Sequence, residues 1–128
     1  MKNPWVCLFL SFATLLTLSC GSGGRHLQSI TVSQTVSGQQ IQFVATGTFS
    51  APPTTVTPLP VDWMLGIAAP PPKQWTYTLT DQPYVYDCAN VNPVNPGLVT
   101  AFAPSDPKAP ASGTTTKVVI GSLAVTCQ

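Results

Sequence analysis

The groups from which catalytic or metal chemistry could be built are few in this 128-residue chain. They are the thiols of Cys7, Cys20, Cys88 and Cys127, the lone imidazole of His26, and the carboxylates of Asp62, Asp81, Asp87 and Asp106. Nucleophilic hydrolysis needs a base beside the nucleophile, and the single histidine stands next to Gly21, Ser22, Gly23 and Gly24, a spacer composition that leaves it solvated. Glycoside chemistry needs paired carboxylates, and no spacing among the four aspartates marks an acid–base pair. Calcium takes several oxygen ligands at once; Asp81 and Asp87 could supply two, and they read more simply as solvated turn residues. The expectation is a protein that is not an enzyme and uses no metal or cofactor.

The N-terminus carries a different signal. After Lys2 comes an apolar run from Trp5 to Leu18, interrupted only by Ser11, Thr14 and Thr17. It is shorter than the ~20 residues of a membrane-spanning helix and suits the apolar core of a secretory leader. The run closes on Thr17-Leu18-Ser19-Cys20, which resembles the bacterial lipoprotein signal, or lipobox. Ser19 and Cys20 occupy its small-residue and cysteine positions, and Thr17 stands where leucine is usual. The resemblance implies that a diacylglyceryl group is attached to Cys20 and that signal peptidase II cuts before it. A single acyl chain binds membranes only marginally; two or three on Cys20 would hold. Gly21, rather than aspartate, follows the cysteine and by family analogy permits outer-membrane sorting in a host that has one. This divides the chain into a removed leader (1–19), a lipidated cysteine with a flexible tether (20–28) and a folded domain (29–128), placed in the bacterial cell envelope outside the cytoplasm.

That assignment changes the cysteine arithmetic. Cys7 goes with the leader and Cys20 with the lipid, which leaves Cys88 and Cys127 to pair in an oxidising compartment. A two-cysteine metal site is the rival reading, but histidine partners and the close spacing zinc prefers are missing.

About 109 residues follow the leader, the size of one domain. Charged residues make up 7% of the chain and the net charge is +1, against about 25% charged in ordinary soluble domains. A near-neutral surface offers no electrostatic footprint for nucleic acid. The membrane contact expected is therefore the lipid alone.

Beyond residue 20 the apolar residues recur with period two, the signature of half-buried strands. Ile30 and Val32 face one way, and Ser37-Gly38 turns the chain. Ile41, Phe43, Ala45, Gly47 and Phe49 then share a face, with Gln42, Thr46 and Thr48 opposite. Gly47 leaves room for a large neighbour, and Trp63 is expected to fill it. Residues 51–60 are proline-rich and excluded from a central strand. Val61, Trp63 and Leu65 point inward on the next strand, Trp75, Tyr77 and Leu79 on another, and Tyr84, Tyr86 and Cys88 continue after a turn at Asp81-Gln82-Pro83. Val99, Ala101 and Ala103 are small inward residues. In the last strand a phase change at Gly121-Ser122 predicts a bulge. About seven short strands separated by turns predict an all-β antiparallel sandwich.

With the strands placed, Leu27 to Val32, the run Gly38-Gln39-Gln40-Ile41-Gln42-Phe43-Val44-Ala45-Thr46-Gly47 and Val61-Asp62-Trp63 resemble the bacterial immunoglobulin-like domain of group 2 type. Gly97-Leu98-Val99-Thr100-Ala101 is similar to its later "G-x-V-T-A" strand. The resemblance implies an immunoglobulin-like sandwich over most of 27–128. Residues 64–72, apolar and proline-rich, depart from the turn usual after the third strand. The resemblance leads to a structural or spacer role at the cell surface. The alternative is an adhesin-like or carbohydrate-binding module. Its contacts would be Trp75, Tyr77, Tyr84 and Tyr86, too many aromatics for one thin sheet to bury, and its ligand a surface glycan or protein.

Overall fold

The computed structural model describes residues 24–66, 73–90 and 97–127. Its strands are β1 (Leu27–Ser37), β2 (Gln40–Phe49), β3 (Thr55–Val56), β4 (Asp62–Leu65), β5 (Trp75–Thr78), β6 (Tyr84–Asp87), β7 (Gly97–Pro104), β8 (Ser112–Thr115) and β9 (Val118–Val125), with one 3-10 turn at Cys88–Asn90. β2 is the centre of the first sheet. β1 lies along one edge of it, while β6 and β3 share the other edge, β6 beside Gln40–Phe43 and β3 beside Gly47 and Thr48. The second sheet runs β4-β7-β9, and β5 and β8 form a separate two-stranded ribbon. All pairings are antiparallel. The fold is an all-β antiparallel sandwich. The core lies between its two larger sheets, the one centred on β2 and the one centred on β7.

The alternation in the sequence builds the core directly. Ile41, Phe43, Ala45, Gly47 and Phe49 are all buried on one face of β2. They meet Val61, just ahead of β4, and Val99, Ala101 and Val125 from the second sheet, none more than 1% exposed. The proline-rich crossing stays at the margin: Thr55 and Val56 pair only with the end of β2, where missing backbone donors do little harm. β3 and β8 raise the strand number above the expected seven; neither has an apolar alternation to announce it.

β7 is covered on both faces. Val99, Ala101 and Ala103 enter the core, and Thr100, Phe102 and Pro104 on the other face are buried as well. The cover is the β5–β8 ribbon, whose Trp75 stacks on Phe102 with centroids 4.6 Å apart and planes 20° from parallel. On this face Asp62 is half-buried, with the backbone of Thr78 and Trp63 beside its carboxylate. Burial dominates its titration and raises its pKa above the ordinary 3.8, the neighbouring backbone dipoles of Thr78 and Trp63 offsetting part of the effect. A raised folded pKa means the folded state takes up this proton first as pH falls. The ionised form therefore costs stability at neutral pH. The cost is relieved as pH drops through the raised value toward 3.8. Asp62→Asn should accordingly melt higher than the wild type at pH 7, with the gap closing as pH approaches 4; paired thermal melts across that range would show it, and a gap independent of pH would refute it.

Three details differ from the sequence expectation. Leu27 and Leu59, not Trp63, fill the space over Gly47: a Cβ built there lies 2.9 Å from methyl carbons of both. Trp63 is half-buried against Tyr84, 6.0 Å between centroids, and its Nε1 donates to the Gln82 carbonyl at 3.3 Å. Leu65, expected inward, is 46% exposed, because β4 ends there and among the described residues no strand pairs along its outer edge. Finally, β9 has no bulge. Its pairing with β7 runs unbroken from Val118 opposite Pro104 to Val125 opposite Gly97. Gly121 holds the inward phase between Val119 and Leu123, and a residue without a side chain imitates a slip.

Candidate functional site

The pole where the described chain begins is built by Arg25. Its guanidinium lies 3.6 Å from the centroid of the Phe49 ring, a cation–π contact. The same group donates to the carbonyls of Ala51 (Nε, 3.1 Å) and Pro53 (Nη2, 2.6 Å). The His26 N–H donates to the Ser50 hydroxyl and the Ser50 N–H returns to the His26 carbonyl, both at 2.9 Å. The Leu27 N–H donates to Ser105 at 2.8 Å. Arg25 to Gln28, read from the sequence as tether, thus belongs to the fold. Behind Arg25 a cleft of about 190 Å³ opens between the sheets, lined by Leu27, Phe49, Leu59, Leu79 and Ala103 with Asp106 also on its wall. It is apolar and holds no pair of groups able to move a proton.

The carboxylates have local employment. Asp87 caps the 3-10 turn, accepting from the Ala89 N–H at 3.0 Å and from Asn90 Nδ2 at 2.9 Å. Asp106 accepts the Lys108 N–H at 2.9 Å, and Asp81 accepts from Gln82 Nε2 at 3.2 Å. These are turn bonds of the kind aspartate makes with its own neighbourhood. His26 is exposed, and no described carboxylate bonds to it. No group of three or more His, Cys, Asp or Glu able to hold a metal occurs among the described residues.

The four aromatics proposed as ligand contacts do not converge on one exposed face. Trp75 and Tyr77 belong to the ribbon, Tyr84 and Tyr86 to the first sheet. Tyr77 is 3% and Tyr86 6% exposed. Tyr84 is half-buried between Phe43 and Trp63, and Trp75 is half-buried on Phe102. The fold buries them by supplying two surfaces where the sequence suggested one: the inter-sheet core and the outer face of β7.

At the opposite pole Cys88 and Cys127 form a disulfide across a separation of 39 residues, with Cα atoms 5.6 Å apart. It ties the end of β6, in the first sheet, to the chain just beyond β9, in the second. Cys7 and Cys20 lie outside the described residues. Fold and bonding together define a disulfide-stapled antiparallel β-sandwich. No protein-family model, curated protein or solved structure matches the chain.

Proposed function

We propose that this chain is a lipid-anchored bacterial envelope module of immunoglobulin-like type, holding a structural or spacer position outside the cytoplasm and carrying no catalysis of its own. The observation that carries the reading is Thr17-Leu18-Ser19-Cys20 standing only a few residues ahead of a sandwich that begins in a fixed way. Cys20 is five residues from Arg25, at most about 18 Å of extended chain, and Arg25 is locked over Phe49 by two carbonyls and a ring. An anchor at Cys20 would therefore hold this pole of the domain against the membrane and present the disulfide pole outward. The Cys88–Cys127 bond supports export, since such bonds persist in oxidising compartments. The neighbour orders β1-β2-β6 and β4-β7-β9, like strands A-B-E and C-F-G of an immunoglobulin sandwich, support the immunoglobulin-like assignment. Burial of Tyr77 and Tyr86 favours the spacer role over a glycan- or protein-binding module built on aromatics.

Mass spectrometry of the mature N-terminus from native membranes tests the anchor. The expected species starts at Cys20 and carries two or three acyl chains, and Cys20→Ala releases the protein from the membrane fraction. An unmodified N-terminus beginning downstream of Cys20 would overturn the proposal.

A further inference from the structure

The outer edge of β1 is open in a way that sheet edges rarely are. β1 and β2 are joined by the two-residue turn Gly38-Gln39, with Ser37 opposite Gln40. Residues flanking such a turn exchange both backbone bonds, and the pattern then alternates. Ser33, Thr35 and Ser37 therefore bond toward β2, while the N–H and C=O groups of Val32, Gln34 and Val36 point away from it. The Cys88 N–H, which reaches the Gln39 carbonyl from the far side of β2, obeys the same parity. β9 runs alongside β1 in the same direction: Gly121 lies on Ile30, and Thr126 and Cys127 share a groove of about 380 Å³ with Gln34 and Val36. The two strands touch at Ile30 and leave that groove at Gln34 and Val36, where the β9 ladder has ended at Val125. No backbone group of a described residue pairs with Gln34 or Val36 on this side.

The usual guards of an edge strand are also missing. Such edges are protected by lysine, proline, inward-pointing charge or a bulge. Residues 27–49 contain neither a charged residue nor a proline, and the one irregularity of β1 falls between Leu27 and Ser29, at its other end. Val36 sits on the apolar phase of β1 and is 62% exposed, the highest value among the exposed large hydrophobic residues described.

We propose that the Gln34–Val36 stretch of β1 pairs antiparallel with the same stretch of a second copy of this chain, about a two-fold axis through Thr35. In that register Gln34 lies opposite Val36 of the second copy in both directions, so every outward N–H and C=O of these residues finds its complement. Thr35 faces Thr35 as a non-hydrogen-bonded pair on the hydroxyl-rich outer face. A second copy fits because the edge is its own complement and no charge opposes the approach. The contact is four backbone bonds with little buried area, below the ~1,200 Å² of a stable interface; it forms where copies are concentrated rather than in dilute solution. The inference stands on the strand edge and is independent of whether Cys20 is lipidated.

Trapping tests it. In a non-hydrogen-bonded antiparallel pair the Cα atoms are about 4.5 Å apart, within disulfide range. Full-length protein in detergent carrying Thr35→Cys, oxidised with glutathione disulfide, should give several-fold more covalent dimer than Thr31→Cys, on the same face of β1 but outside the register. Adding Val36→Lys should abolish the excess. Sedimentation of the protein without added cysteines at rising concentration should show a dimer that Val36→Lys removes. Equal trapping by the Thr35→Cys and Thr31→Cys variants, or a monomer at every concentration, would overturn the proposal.

Discussion

Replacing both Cys88 and Cys127 by serine should lower the stability of the domain by about 4 kcal/mol. A bond closing 39 residues of chain removes loop entropy from the unfolded ensemble, and the chain-entropy relation gives that figure for a loop of this length, with 2–5 kcal/mol typical of small exported domains. The bond's position argues for the upper part of that range. It cross-links the two sheets, and it holds the terminal end of β9, a strand that among the described residues is laddered to β7 alone. Set against a total of 5–15 kcal/mol for an ordinary domain, the loss is severe. At roughly 4–8 °C per kcal/mol for a domain of this size, the melting temperature should drop by about 15–30 °C. Thermal unfolding of the wild type with and without reductant, beside the double serine variant, measures it. Reductant should bring the wild type to the variant's midpoint and leave the variant unmoved. A midpoint within a few degrees of the oxidised protein would mean that β9 is held by its packing, and the staple would have to be given a different purpose.

That staple was legible before the fold was known, and so was the inward face of β2, because Ile41, Phe43, Ala45, Gly47 and Phe49 keep a strict period of two and all are buried. What escaped was non-local. Phe102 alternates with Ala101 and Ala103 as a solvent-facing residue would, and only the arrival of Trp75, 27 residues earlier in the chain, covers it. The ribbon that brings Trp75 there joins residues 75–78 to 112–115, and nothing local to either stretch specifies the other. The same event explains the aromatics. Four rings are too many for a single core face, but the chain builds a second buried surface, so an apparent excess of aromatics was no sign of an exposed platform. Arg25 was missed for a related reason. Its partners, Phe49, Ala51 and Pro53, lie at the far end of β2, and a Gly/Ser-rich prelude gave no hint that the next residue would be fixed.

Gly121→Ala should be the most damaging of the single glycine-to-alanine changes. The reason is backbone rather than side chain. A Cβ built at Gly121 runs into the carbonyl oxygen of Ile30 and lies 2.8 Å from its carbonyl carbon and 2.9 Å from its Cβ. Those atoms belong to a paired strand and cannot rotate away. Overpacking that moves backbone costs about 3 kcal/mol or more, and Gly121→Val should prevent folding. Two other glycines calibrate the claim. At Gly47 the added methyl meets Leu27 and Leu59 at 2.9 Å, but these are the ends of flexible side chains, so the cost should be about 1–2 kcal/mol. At Gly38 nothing lies within 4 Å and only the positive φ of 60° resists, worth about 1–2 kcal/mol for a residue with a Cβ. Urea unfolding of the three alanine variants should rank Gly121 well above the other two, with unchanged slopes. If Gly121→Ala were as mild as Gly38→Ala, β1 and β9 would have to separate at Ile30 without penalty. The open edge of β1 would then extend up the strand, and pairing with a second copy would no longer be confined to the register centred on Thr35. The cost at Gly121 and the position of the trapped cysteine therefore report on the same seam, and each constrains how the other can come out.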